Sequence, residues 1–407
     1  MQGVLLHAID GKGNDIYKRA AGTSALGPTS PPISFTNTIR LASCTKLVTT
    51  IAALQCVERG LLALDAPLDA LLPELCSQPI ITSYNAASSS AATAALTFAQ
   101  RTKPLTLRHL LTHTSGVGYD TLQPALRAYR ASRGEGGQTT TPSADIATTF
   151  GIPLLFEPGD GWAYGGGLNW AGVAVERALR ADDGGGELED CVRERVFGPL
   201  GLRDSTFRLE RREGVRERLV EMALKGGGGA VYGVEGVEGL VPAEGAMVGL
   251  ADPVAECLGG SGLYSSVPDF LALLRDLLAP EPKLLRKETV DQMFEPQMER
   301  GGKAQEMLAG NPWMYSSMTG GATQEGPEVN FGMGGLLIMS DLEGWGARTT
   351  GTLTWGGNGN LIWFANREAR GGGGIAALFG GQVLPAGDAD MQVLIKAFLQ
   401  EVWRRSG

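Results

Sequence analysis

The sequence predicts a mixed α/β (α+β) fold: one antiparallel sheet built from both ends of the chain and flanked by helices, with a mainly helical domain inserted between. Three observations carry this. Strand-length apolar runs open the chain around a glycine-rich turn, β-like runs return in the last quarter before a closing amphipathic helix, and the middle shows helical periodicity broken by loops. The boundaries that follow are 1–75 together with 290–407 for the sheet domain and 76–289 for the helical insertion. The functional site is expected at their interface.

Each element follows from local pattern. Gly3 to Ile9 and Ile16 to Ala21 are apolar runs separated by Gly11-Lys12-Gly13-Asn14, which reads as a hairpin. After Ile33 to Leu41, apolar residues at Leu47, Ile51, Leu54 and Val57 recur at helical spacing, so Ser43 to Arg59 reads as a helix closed by Gly60. Further helices are expected at Thr106 to Leu111, Leu168 to Arg180, Glu187 to Phe197 and Pro268 to Leu278, the last with Ser266 as N-cap. The Ser/Ala run at Ala86 to Ala95, the Gly run at Gly226 to Gly229 and the segment up to about Gly260 read as surface loops. Strands return at Thr352 to Trp355, Leu361 to Asn366 and Ile375 to Phe379, and Asp388 to Arg404 closes the chain as a helix. The Gly run at 371–374 reads as a loop without an assigned purpose.

Composition narrows the function. A net charge of −9 over 407 residues leaves no broad cationic surface for phosphate backbones, so nucleic acid is not an expected partner. Five Cys form no C-x-x-C pair, and they read as buried thiols of a reducing, cytoplasmic compartment. With three His, of which His109 and His113 lack the intervening Glu of a zinc motif, no metal and no cofactor are expected. The N-terminus has neither a basic leader nor a membrane-length apolar run, and no membrane partner is expected.

Chemistry concentrates at Ser43-Cys44-Thr45-Lys46. Three residues apart on a helix, Ser43 and Lys46 share a face, and a lysine there can take the serine's proton. It must be neutral to do so, and burial together with the positive helix end both lower its pKa. The same helix end offers a backbone N–H to an oxyanion.

Several ordered segments extend this pair. LASCTKLVTTIAALQCVERGLLALDAPL (41–68), LTLRHLLTHTSGV (105–117), FEPGDGWAYGGGLNWAG (156–172), VFGPLGLRDSTF (196–207) and GGSGLYSSVPDFLALLRDLL (259–278) together resemble the serine β-lactamase and penicillin-binding-protein superfamily. The resemblance is to its class C-like branch, with the fungal lovastatin-pathway acyltransferases and the family VIII esterases. It implies a β-lactamase/transpeptidase-like fold, a Ser43 nucleophile, and Tyr164 as the partner of Lys46 in moving protons. The Asn that usually closes the second motif is Gly166 here. The third motif, normally a basic residue before Thr/Ser and Gly, reads Trp355-Gly356-Gly357, so the cation that meets a β-lactam carboxylate is missing. By resemblance Trp355, Gly356, Gly357 and Asn358 line the substrate, with the N–H of Gly357 or Asn358 completing the oxyanion hole. Gly165 to Gly167, Gly356 and Gly357 are expected to let backbone approach substrate. His109 and His113 are expected to satisfy backbone groups, and Cys44 to pack.

These residues point to a serine acyl-enzyme catalyst of secondary metabolism. It would transfer an acyl group from an ester or thioester, including a carrier-protein or coenzyme A thioester, to an alcohol or amine on a small molecule. The alternatives are a carboxylesterase, with water as acceptor, and a non-hydrolytic or non-catalytic member acting as a cyclase or binding scaffold.

Overall fold

The computed structural model describes residues 2–84, 96–136, 145–227, 236–243, 253–321 and 326–406. In chain order its strands are β1 (Val4–Asp10), β2 (Asp15–Ala21), β3 (Thr38–Arg40), β4 (Ile80–Tyr84), β5 (Leu96–Ala99), β6 (Ala223–Gly227), β7 (Glu238–Pro242), β8 (Tyr264–Ser266), β9 (Val329–Phe331), β10 (Leu336–Ile338), β11 (Thr352–Gly357), β12 (Leu361–Asn366), β13 (Ile375–Gly380) and β14 (Val383–Leu384). Seven of them form one antiparallel sheet in the order β2-β1-β13-β12-β11-β10-β9. The first strand therefore lies inside the sheet, Leu5 opposite Gly380 and Ile9 opposite Ala376. The expected sheet from both termini is present.

Every residue of β12 and β13 is buried, because helices cover both faces. Alternation along β12 splits its aromatics. Trp363 meets Phe270 of the Val267–Leu278 helix at 6.2 Å between ring centroids, and Phe364 stacks on Trp403 of the Ala389–Ser406 helix at 5.3 Å. Each such side chain removed from water stabilises by roughly 2–3 kcal/mol.

The expected helices are found, within a residue or three, at Thr45–Glu58, Leu107–Leu111, Gly167–Asp183, Val267–Leu278 and Ala389–Ser406. Ser266 caps its helix by accepting from the Asp269 N–H. The Glu187 to Phe197 stretch is a short α-helix, Leu188–Val192, that continues as a wider π-turn. Among the helices of the middle lie short strands that the loop reading missed, β4 to β8. β4 pairs with β5, β3 with β8, and β6 with β7 and β14. Gly226 and Gly227 belong to β6, opposite Gly239 and Glu238, rather than to a loop. The Ala86 to Ala95 run, Gly228, Gly229 and 244–252 lie outside the described residues. The glycines after β12 have a reason: Gly371, Gly372 and Gly374 take φ of 65°, 92° and 67°, which turns the chain back into β13. Among the described residues no helix is long and apolar enough to cross a membrane.

Candidate active site

Ser43 stands in a single 3₁₀ turn, Ala42–Cys44, that runs straight into the Thr45–Glu58 helix. Ala42 holds φ at 45°, a left-handed value that costs an alanine about 1–2 kcal/mol, so surrounding contacts impose this turn. The helix is buried nearly all round, and its polar side chains are matched by one facing segment. Thr49 Oγ1 donates to the Gly259 carbonyl at 2.7 Å, the Leu263 N–H donates to Thr45 Oγ1 at 3.1 Å, and Lys46 Nζ donates to the Gly260 carbonyl at 2.8 Å.

Lys46 is the hub. Its Nζ also lies 3.3 Å from Ser43 Oγ and 3.4 Å from Tyr119 Oη, and 4.6 Å above the ring of Tyr164. Burial works against its charge, as expected, but the two tyrosines outweigh burial through their phenolate charge and hydrogen bonds, and its pKa is raised. This corrects the expectation of a lowered lysine pKa: the phenols that share its space push it up. Burial in turn raises the Tyr119 pKa, against the pull of Lys46. Lys46 and Tyr119 therefore share their protons as a pair.

Tyr164 is held from the third-motif strand. Trp355 Nε1 donates to Tyr164 Oη at 3.3 Å, and the two rings lie 5.2 Å apart. Thus Ser43, Lys46, Tyr164 and Trp355, chosen from distant parts of the sequence, are brought together. Gly357 touches the Ser43 turn: a Cβ there would stand 2.5 Å from the Leu41 carbonyl oxygen and 3.3 Å from Cys44 Sγ. Asn358 opens the following turn and is exposed.

Tyr119 was not among the sequence candidates. It falls just past the 105–117 segment, in Gly116-Val117-Gly118-Tyr119, where neither periodicity nor a motif letter marks it. The signal that could have found it is Gly165, whose Cβ would lie 1.9 Å from the Val117 carbonyl oxygen. Without a side chain there, the two loops close until the Tyr119 N–H donates to the Tyr164 carbonyl at 3.2 Å. Asn169 was missed as well. Its Oδ1 accepts from the Gly260 N–H at 2.8 Å and so fixes the residue whose carbonyl holds Lys46.

Two expectations change. The site glycines face protein: a Cβ on Gly166 would meet the Phe150 ring at 2.5 Å, one on Gly167 the Leu110 carbonyl at 2.8 Å, and one on Gly356 the Leu361 carbonyl at 2.7 Å. His113 satisfies no backbone group through its ring. It is wholly buried, neither ring nitrogen has a partner, and it packs edge-on to Tyr164 at 4.8 Å and Phe331 at 5.4 Å. Burial and the Lys46 charge hold its pKa well below the usual range, so it is a neutral aromatic floor. Nδ1 of His109 is likewise unpartnered. Cys44 is buried and desolvation raises its thiol pKa, which leaves a packing group. Among the described residues no three His, Cys, Asp or Glu side chains form a metal-holding group.

A sheet built from both termini, with a Ser-x-x-Lys pair at the start of a buried helix beside two phenols, defines an enzyme of the serine acyltransferase and esterase type. The chain belongs to the Beta-lactamase family, which it matches over residues 2–397. A lovastatin esterase of Penicillium rubens is 36% identical over 417 residues, covering 100% of this chain and 95% of its own length. The monacolin J acid methylbutanoyltransferase of Aspergillus terreus is 33% identical over 408 residues, covering 98% and 91%. The solved structure of a mutant simvastatin synthase from Aspergillus terreus superposes with a TM-score of 0.82 at 32% identity, over 100% of this chain and 91% of that one.

Proposed function

We propose that this chain is an acyltransferase that passes an acyl group from a thioester or ester to an alcohol or amine of a secondary metabolite through an acyl-Ser43 intermediate. One observation carries the reading: Lys46 Nζ touches Ser43 Oγ and Tyr119 Oη and lies over Tyr164 at once. Ser43 Oγ attacks the acyl carbonyl as its proton passes to an ionised tyrosine oxygen paired with the Lys46 ammonium. The tetrahedral oxyanion is met by backbone N–H groups of Ser43 and of Gly357 or Asn358, and the cluster protonates the leaving thiolate or alkoxide. Deacylation reverses the route: the acceptor hydroxyl gives its proton to the cluster, attacks the Ser43 ester, and Ser43 Oγ regains a proton.

The acyl class we propose is short and apolar, as in the methylbutanoyl named for the Aspergillus relative. The donor is a carrier-protein or coenzyme A thioester. We place the site between the sheet unit, 1–75 with 290–407, and the insertion 76–289, and the enzyme in the cytosol, where five free, buried thiols persist. Trp355-Gly356-Gly357 offers no cation to a β-lactam carboxylate, and a chromogenic cephalosporin should not be turned over.

The test uses a fluorophosphonate probe, followed by acyl partition. Labelling of the native protein that disappears in Ser43→Ala supports the acyl-enzyme; an unlabelled native protein refutes it and favours the binding-scaffold or cyclase reading. Given a small acyl thioester with and without an alcohol acceptor, a transferase forms the new ester. Unchanged hydrolysis in both would instead establish the carboxylesterase reading, which the likeness to the lovastatin esterase favours.

A further inference from the structure

Tyr119 reaches Lys46 from a loop, and a loop does not by itself hold a phenol to a fraction of an ångström. What lies behind that loop is a charged pair sealed from water. Asp120, the next residue, is fully buried, and Arg130 on the Pro124–Ser132 helix is 2% exposed. Arg130 Nε donates to Asp120 Oδ2 at 2.8 Å, and its Nη1 donates to Glu135 Oε2 at 2.9 Å. Its Nη2 donates to the Thr149 carbonyl at 2.5 Å.

That carbonyl belongs to the residue before Phe150. The Phe150 ring fills the space above Gly166 and lies 6.1 Å from the Tyr119 ring. One guanidinium therefore grips the chain on both sides of the phenol, next to Tyr119 itself and next to the ring that backs it. Sealing a carboxylate and a guanidinium away from water is costly, and breaking such a pair costs more than the pair stabilises. A planar fork is suited to fixing two segments at a set angle.

We propose that Arg130, acting through Asp120 and the Thr149 carbonyl, is the positioning residue that holds the Tyr119 hydroxyl on Lys46. The inference rests on the proton-relay reading above and adds to it a residue that touches neither substrate nor Lys46. Displacing a catalytic group by about 1 Å costs up to about 100-fold in rate, so loss of the clamp is read in kcat rather than in binding.

The experiment compares Tyr119→Phe, the neutral pair Asp120→Asn with Arg130→Gln, and the triple variant, each in the full chain. Readouts are kcat and KM for p-nitrophenyl butyrate, with a thermal melt to establish folding. Arg130→Lys, which keeps the charge and loses the fork, replaces the neutral pair if that pair does not fold. The expected result is a fall in kcat of about 10- to 100-fold for Tyr119→Phe and a similar fall for the clamp variant, with KM changed less than about twofold. The triple variant should be no slower than Tyr119→Phe, because the clamp has nothing left to position.

Rates that multiply in the triple variant, or a clamp variant that folds with unchanged kcat, overturn the inference and leave the relay intact. An unchanged kcat in Tyr119→Phe overturns the relay role of Tyr119 and the inference with it.

Discussion

Restoring the asparagine that Gly166 replaces should fail for a reason visible in the packing. A Cβ on Gly166 would lie 2.5, 2.8 and 3.2 Å from Cδ1, Cγ and Cβ of Phe150, too close for real contacts, and an amide beyond it would need the volume of the ring. Overpacking of this kind costs about 1–3 kcal/mol. At about 2.1 cal/mol/K per residue, the 407 residues carry an unfolding entropy of about 0.85 kcal/mol/K. Gly166→Asn should therefore lower Tm by about 1–4 °C. Phe150→Ala empties the space instead, at about 3–5 kcal/mol and about 4–6 °C. The two are complementary, so the double variant should melt at least about 1 °C above the additive expectation. Differential scanning fluorimetry on the four proteins measures this. A Gly166→Asn protein that melts like the native one, or a double variant that loses the full sum, would show that Phe150 does not occupy the asparagine's place.

Trp355→Phe keeps the ring against Tyr164 but removes the Nε1 donor; kcat should fall about 5- to 150-fold with KM nearly unchanged in steady-state kinetics, matching a bond worth about 1–3 kcal/mol. Gly357→Ala puts a methyl group 2.5 Å from the Leu41 carbonyl oxygen, so strand and serine turn must separate, and acylation by p-nitrophenyl butyrate should slow about 10- to 100-fold. Burial, with Glu256 and Glu187 nearby, pushes the Glu176 carboxyl up to about 7. The native state thus binds a proton that the unfolded chain releases above about 4.5, and stability falls as pH rises through that window by at most about 3 kcal/mol. Glu176→Gln, whose amide oxygen can still accept from the Leu188 N–H, should leave Tm unchanged near about pH 4 and raise it by about 2–3 °C near about pH 8.

What the sequence disclosed depended on range. The β1–β2 hairpin and the Ser-x-x-Lys pair are local, set by a glycine turn and a helical repeat, and both are where the pattern puts them. Tyr164 carries no local mark; it was legible only because ordered segments resembled a family. Strands β9 and β10, three residues each, are too short for alternation to register, and they exist because β11 offers an edge to β10 and β10 offers one to β9. The same limit explains Tyr119. Its position follows from the missing side chain at Gly165, 46 positions on, and only the packed chain places those two loops in contact. The direction of the Lys46 shift was misjudged because burial and the helix end were weighed without the two phenols, one of them Tyr119, that push it up.

The interleaved sheet has a consequence in time. Ser43 and Lys46 leave the ribosome early, yet β11, which carries Trp355 and Gly357 to them, is made near the end, and β1 waits for β13. At about 5–20 residues per second, the serine turn spends about 15–60 s of synthesis without the strand that flanks it. Until then Ser43 has neither the tryptophan-held phenol nor a finished sheet beside it. A nascent chain stalled before β11 would carry Ser43 and Lys46 without Trp355 or Gly357, and on the proposed mechanism it should form no acyl-enzyme.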